Sequence, residues 1–434
     1  MLIRKAYKFQ LKLPKAQKIT LEKVLASFAG CKRFVWNKAL GIQKQRLDNK
    51  EKKYTYKELA NMLVIWKKDT DTSFLKSCHS QILQQTLKQL DLAFKNCFNK
   101  KAIQEFPIFK KKGIHDSFLY PQGFKLDTVN NRVFLPKIGY IPYVLGKNKQ
   151  IEGNAKNITV SKSNNKWYIA IQVEQEISDN KLLHKLDLAS AVGLDVGVTN
   201  IINTSNQEQI KPLDTIKLEQ NLKKAQRRLA KKVKYSKRFN KAKGKIQKLH
   251  SRIANKRKNH LHKITSNLSK NHALIIVEDL KISNMTKSAK GTIENKGKNV
   301  KAKSGLNKSI LHQGWGEMIR QIEYKQSWNG GDIIKVNPKY TSQKCNACGN
   351  INKLNRKSQS YFKCILCNHT DDADINAAKN ILAAGLAVLA RGEYVRPNVN
   401  ICENHINGQE AISVKREPTK DTNQNLVSVG NLAL

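Results

Sequence analysis

Four of the eight cysteines fall between positions 345 and 367, spaced as Cys345-x2-Cys348, fifteen intervening residues, then Cys364-x2-Cys367. This is the spacing of a zinc ribbon, in which two knuckles each present two thiolates to one tetrahedral ion. Gly349 and Asn368 follow the knuckles, and both residue types tolerate the left-handed backbone such a turn needs. The ribbon is preferred to a redox pair, and the zinc it implies is structural because four thiolates leave no open coordination position. Cys31, Cys78, Cys97 and Cys402 are scattered and read as reduced, buried thiols.

The acids carry a second chemistry. They number 33 against 80 Lys plus Arg, a formal net charge of +47, so any place where acids gather is informative. Asp195 lies in GLDVGVTN, Glu278 near the end of ALIIVEDL, and Asp371, Asp372 and Asp374 at the mouth of the last apolar helix. Carboxylates are hard oxygen donors that suit magnesium. Three of them can hold two ions, one activating a water and the other stabilising the leaving oxygen of a phosphodiester. Each acid alone has a plainer reading: Asp195 could bond its own turn, Glu278 could pair with a lysine, and Asp374 could serve the helix dipole.

The elements that carry these residues decide between the readings. Residues 192–200 alternate as a strand, with Leu194, Val196 and Val198 on one face and Gly193, Asp195 and Gly197 on the other. Strands near 199–203 and 208–212 follow, then two helices over 217–270 that fold back near Gly244 or before it. ALIIVEDL at 273–280 is a continuous apolar run, the pattern of a central strand covered on both faces. Residues 283–305 lack periodicity and read as a mobile loop. A helix at about 308–328, the strand DIIKVN, the cysteine cluster and the helix DINAAKNILAAGLAVLA complete the series. Three strands, a helix pair, a strand, a helix, a strand and a final helix is the order of the ribonuclease H-like fold. In that fold the first and fourth strands are neighbours and the last helix packs over their ends, which would let Asp195, Glu278 and an acid from among Asp371, Asp372 and Asp374 converge.

The N-terminal part is of another kind. KAYKFQLKL alternates as a strand ending at Pro14, and residues 15–100 carry helical apolar stripes, with Thr55 and Glu58 as a capping box. From 106 to 174 the chain turns to short strands, including a hairpin at Asn164-Asn165. The fold class is therefore α/β plus β: a ribonuclease H-like domain at 186–340 and 370–395 with a zinc ribbon inserted at 341–369. A small β domain at 1–14 and 101–185, interrupted by the helical block, precedes it. A polar, poorly ordered tail at 396–434 follows.

The positive charge is spread along the whole chain and points to nucleic acid as the partner, with no membrane. It is densest at 217–270, where twenty Lys or Arg face one acid, Glu219. Self-repulsion there favours a phosphate-facing hairpin over a merely solvated one, with Arg227, Arg228, Lys231 and Lys232 as candidate contacts. No secretory signal is visible, and the longest apolar run, at 381–390, is too short to span a bilayer. The expectation is a soluble, cytoplasmic protein, associated with the nucleoid when bound to DNA.

The runs YTSQKCNACGN, CILCN, DDADINAAKNIL, GLDVGVTN, IVEDL and SILHQGWGEMIRQIEYK resemble the C-terminal half of the TnpB family of transposon-associated nucleases, relatives of the type V CRISPR effectors. FPIFKKKGIHDSFLYPQGF and LPKIGYI resemble its N-terminal half, so the likeness covers residues 1 to about 390. It implies an RNA-guided DNA endonuclease with a RuvC-type site in which Asp195, Glu278 and Asp374 bind magnesium. It also implies a guide RNA derived from the transposon end, a wedge and recognition lobe at 1 to about 185, and a lid at 283–305. The chain departs from the family at Asn368, where glycine is usual, and at Ala373, where arginine is common. Two other readings stay open: a nuclease or transposase of this fold that works without a guide, and a non-enzymatic zinc-ribbon binder of nucleic acid. The carboxylate set argues against the last.

Overall fold

The computed structural model describes residues 2–99, 105–114, 116–146, 150–178 and 188–392. The tail expected to be poorly ordered, and Cys402 within it, lie outside these residues.

The chain opens with β1 (Leu2–Leu11) and the helices α1 (Lys18–Asp48), α2 (Tyr56–Lys68) and α3 (Ser80–Phe98). Then come β2 (Ser117–Tyr120), β3 (Lys125–Asp127), β4 (Arg132–Leu135), β5 (Gly139–Val144), β6 (Asn154–Ser163) and β7 (Lys166–Glu176). These strands form one antiparallel sheet in the order β2-β6-β7-β1-β5-β4-β3. Along α1, Leu25, Phe28, Cys31, Val35, Ala39 and Leu40 are buried at helical spacing. They share one hydrophobic core with Leu83 and Phe94 of α3 and with Phe118, Trp167 and Ile169 of the sheet. Cys31 and Cys78 are filler in that core. The capping box is present: the Thr55 side chain accepts from Glu58 N, and Thr55 N donates to Glu58 Oε2 at 2.6 Å. Asn164 and Asn165 have φ of 48° and 60°, as a two-residue hairpin turn between β6 and β7 requires.

The second sheet is built from β8 (Val192–Asp195), β9 (Ile202–Thr204), β10 (Gln209–Ile210), β11 (Leu274–Glu278) and β12 (Asp332–Val336). Its order is β10-β9-β8-β11-β12; β8, β9 and β10 pair antiparallel, and β8, β11 and β12 run parallel. Helices α4 (Ile216–Ala230) and α5 (Lys237–Asn271) form the basic hairpin, and the short α6 (Ile282–Met285), α7 (Val300–Gln313) and α8 (Trp315–Asn329) lie between β11 and β12. A small hairpin of β13 (Tyr361–Lys363) and β14 (Thr370–Asp372) precedes the final helix, α9 (Ala373–Ala390). One face of the sheet, through Val192, Leu194, Ile275 and Val277, packs against Leu261, Ile264 and Leu268 of α5, Ile310 of α7 and Met318 and Ile322 of α8. The other face, through Leu274, Ile276 and Ile334, meets Ile381 of α9. Strand β11 is thus covered on both sides, as its apolar run predicts.

The structure corrects several expectations. Strand β8 ends at Asp195 instead of running to Asn200, because the chain bends over 198–201 and folds back so closely that a Cβ on Gly197 would stand 2.9 Å from Asn200 O. The glycine face is covered: a Cβ on Gly193 would run into Ala378 O and Leu382 N, so α9 seats its backbone directly on the strand. Strands β9 and β10 are shorter than expected. The basic helices part before Gly244, at 231–236, the earlier of the two places expected; Ser236 caps α5 there by accepting from Phe239 N at 3.0 Å, and Gly244 lies inside α5. The helix expected at 308–328 is two, divided at Gly314 with φ of 73°. Because α7 starts at Val300, the irregular stretch shrinks to 286–299. Finally, α9 as a whole is 18 residues, long and apolar enough by composition to cross a membrane; here it covers the sheet.

Candidate active site and metal centre

The two knuckles converge. Cys345 Sγ lies 3.7 Å from Cys367 Sγ and Cys348 Sγ 3.5 Å from Cys364 Sγ, with all four sulfurs within 4.8 Å of one another. Four sulfurs at about 2.3 Å from a central tetrahedral ion would stand roughly 3.8 Å apart, so the cluster fits a metal ion with an all-thiolate shell. Gly349 and Asn368 have φ of 78° and 56°, and each knuckle is closed by backbone bonds, Gly349 N to Cys345 O at 2.9 Å and Cys364 N to His369 O at 2.9 Å. Asparagine therefore does the work of the glycine usual at 368. Backbone N–H groups of Cys367 and Leu366 pull the Cys364 thiol down, and bonds with the neighbouring thiols push Cys367 up, so the four sulfurs share their protons as one group.

The acids sit where the parallel strands end. Ile275, Ile276 and Val277 pair with Val192, Gly193 and Leu194, so Glu278 and Asp195 follow side by side at the carboxyl ends of β11 and β8. Asp374 is in the first turn of α9, which rests on β8. Burial first, then the charges of Glu278 and Asp374, push the Asp195 carboxyl up to about 7, while Arg356 pulls it back. Burial also raises the Glu278 carboxyl, opposed by the Thr341 hydroxyl, which donates to Oε1 at 2.6 Å. Asp374 is raised by burial and opposed by Arg356, whose guanidinium donates to Oδ1 at 3.0 Å; Asn203 Nδ2 approaches Oδ2 at 3.4 Å. The carboxylate oxygens are not drawn together as tightly as the thiolates: among the described residues only the cysteines place all their ligand atoms within 4.8 Å.

The neighbouring acids have other partners. Asp372 is the N-cap of α9, its Oδ1 accepting from Asp374 N at 2.9 Å and Ile375 N at 3.2 Å. Asp371 Oδ2 binds Lys379 at 2.7 Å. Arg356, Thr341 and Asn203 were missed by sequence reasoning. Thr341 lies in the YTSQKC run that precedes the first knuckle, a signal that could have drawn attention to it; Arg356 has none, being one cation among many. Arg227, Arg228, Lys231 and Lys232 are all exposed, at the end of α4 and in the turn after it. Glu219, the single acid of that region, instead faces α7, with Oε1 2.8 Å from His312 Nε2.

Residues 1–52, 159–289 and 315–381 match family models described as "Helix-turn-helix domain", "Probable transposase" and "Cas12f1-like, TNB domain". In the first of these segments the structure has a strand and one uninterrupted helix, β1 and α1. The chain is 48% identical over 416 residues to a protein of Escherichia coli (strain K12) called "Putative RNA-guided DNA endonuclease InsQ", covering 96% of this chain and 97% of that one. It is 46% identical over 65 residues, 15% of each chain, to the "CRISPR-associated endodeoxyribonuclease Cas12f1" of Sulfoacidibacillus thermotolerans. In fold it is similar to the protein in a cryo-EM structure of a Cas12f1–sgRNA–target DNA complex, with a TM-score of 0.55, 14% identity, and coverage of 88% of this chain and 99% of that one. The chain belongs to the TnpB family of transposon-associated RNA-guided nucleases, kin to Cas12f1.

Proposed function

We propose that the protein is a transposon-encoded, RNA-guided endodeoxyribonuclease whose ribonuclease H-like, RuvC-type site is formed by Asp195, Glu278 and Asp374. The observation that carries this reading is the mutual field of the three carboxylates: an Asp195 carboxyl raised to about 7 by burial and two like charges marks a place where a cation is favoured. Magnesium, bound there as two ions, would supply an activated water and charge stabilisation at the leaving oxygen. The chain's own groups do the rest. Asp195 and Glu278 project from adjacent parallel strand ends, Thr341 fixes one Glu278 oxygen, and Arg356 and Asn203 fix Asp374. The four thiolates hold zinc, which has no part in the chemistry because its shell is closed.

In this reading β1–β7 and α1–α3 form the wedge and recognition lobe over 1–14, 15–100 and 101–185, which binds a guide RNA from the transposon end and reads a short motif beside the target. The nuclease domain spans 186–340 and 370–395, with the ribbon at 341–369. The protein acts in the cytoplasm, on nucleoid DNA. The test is replacement of each acid. Asp195→Ala, Glu278→Ala and Asp374→Ala should each abolish magnesium-dependent DNA cleavage and leave nucleic-acid affinity largely intact, because phosphate contacts lie elsewhere. Cleavage at the normal rate by the Asp374 variant would remove it from the site.

A further inference from the structure

Helix α9 is largely apolar, yet it carries two asparagines four residues apart on one face, Asn376 and Asn380, 0% and 5% exposed. Buried amides need partners, and these two find them in the backbone of the run that leads into the first knuckle. Asn376 Oδ1 accepts from Asn346 N at 3.0 Å, and its Nδ2 donates to Lys344 O at 2.8 Å. Asn380 Nδ2 donates to the same Lys344 O at 2.7 Å and to Thr341 O at 2.9 Å. Both orientations are fixed, since turning either amide would set its oxygen against a carbonyl oxygen. Lys344 and Asn346 flank Cys345, so this stretch is gripped by α9 through its backbone and by the thiolate cluster through its side chain. At the other end of the run, the Thr341 hydroxyl donates to Glu278 Oε1 at 2.6 Å, with Pro338 O at 3.1 Å as the other acceptor within reach. A hydroxyl has one proton to give, so the place of the Thr341 backbone decides which acceptor receives it, and Asn380 sets that place. The bond to Glu278 uses Oε1 and leaves Oε2 to a cation.

We propose that Asn376 and Asn380 are positioning residues that couple the thiolate metal to the acid site. With the metal in place, Cys345 is anchored, the 341–346 run is held, and Thr341 aims Glu278. With the metal gone, Lys344 and Asn346 slip from the two asparagines and the Thr341 hydroxyl is free to turn to Pro338. The inference rests on the nuclease reading and adds a link between its two metal centres. A coupling free energy belongs to both sites alike, so a cation held by Glu278 must in turn strengthen the hold on the thiolate metal.

The test is the rate at which the full-length, zinc-loaded protein gives up zinc to a chromogenic pyridylazo chelator, with and without saturating magnesium. Magnesium should slow the release at least about fivefold. Thr341→Val keeps the carbonyl that Asn380 holds and loses the hydroxyl. Its release without magnesium should stay close to that of the parent, and the effect of magnesium should vanish; Thr341→Ser, which keeps the hydroxyl, should restore it. Asn380→Ala, which loses both donors, should release zinc faster and show no response to magnesium; if that variant does not fold, the two threonine variants decide. Equal release with and without magnesium in the parent, or a magnesium effect that survives in Thr341→Val or in Glu278→Ala, would overturn the proposal. Failure of the nuclease reading shows differently, as cleavage by the carboxylate variants. Carboxylate variants that cannot cut, beside a parent whose zinc release ignores magnesium, would sink the coupling alone.

Discussion

Arg356 holds Asp374 with a bond of 3.0 Å and opposes the rise of the Asp195 carboxyl, so one guanidinium conditions two of the three acids. Arg356→Gln should cut cleavage by roughly 10- to 100-fold, the usual cost of losing a partner that orients a metal ligand. Nucleic-acid affinity should stay the same. The sign of the pH effect follows from the same bonds. Without Arg356 both carboxyls titrate higher, and since they bind metal only when ionised, the acid limb of the pH–rate profile should move to higher pH. A rate profile identical to that of the parent would remove Arg356 from the site. That acids gather at the ends of β8 and β11 and the start of α9 was legible in the sequence, because they are rare in so basic a chain and sit at element ends. Arg356 was not, because its role exists only once the ribbon folds over α9 and brings residue 356 to residue 374.

At the scale of elements, the ribbon and the basic hairpin do separable work. Cys364→Ser removes one of four thiolates that lie within 4.8 Å, and the variant should lose its metal by elemental analysis and unfold locally. Full metal retention would refute the thiolate site. Changing Arg227, Arg228, Lys231 and Lys232 together to glutamine should weaken binding to every sequence alike. Exposed cations on a helix end and turn meet phosphate and not base edges. For every phosphate that these cations no longer neutralise, the log–log salt dependence on duplex DNA should flatten by about 0.9, measured by titration at several salt concentrations. Weakening confined to one target sequence would contradict this. Cysteine spacing and the Asn-Asn turn were legible because local chemistry dictates them. The break at Gly314 was not: Ile310, Trp315, Met318 and Ile322 keep one apolar stripe running through both helices, so periodicity alone cannot see the left-handed glycine between them. The early end of β8 was hidden likewise, since Val196 and Val198 stay packed on the same core after the strand has stopped.

Taken whole, the chain carries a charge of +47 that is not confined to the sheet bearing the acids, as a protein enclosing a guide and its target would need. Protein purified with its RNA should cut only DNA matching that RNA's guide end. Stripping the RNA should abolish cleavage, and adding RNA with an altered guide should redirect it. Undiminished cutting of the original site by stripped protein would favour the guide-free nuclease. The order of elements along the second half of the chain could be read in advance because most of them announce themselves by period and composition; the sharing of one core by α1–α3 and the first sheet could not, since it joins residues as distant as Phe28 and Trp167. The seating of α9 has a consequence for control. With no side chain at Gly193, and none at Gly385 where a Cβ would strike Ile276, the α9 backbone comes down on β8 and β11 at two points and is pinned against the strands that carry Asp195 and Glu278. In the proposed nuclease the backbones of the three acids are then set before any target arrives, and what remains is to draw the carboxylates together. In that reading, control would fall on the access of the strand to the acids and not on the movement of these elements.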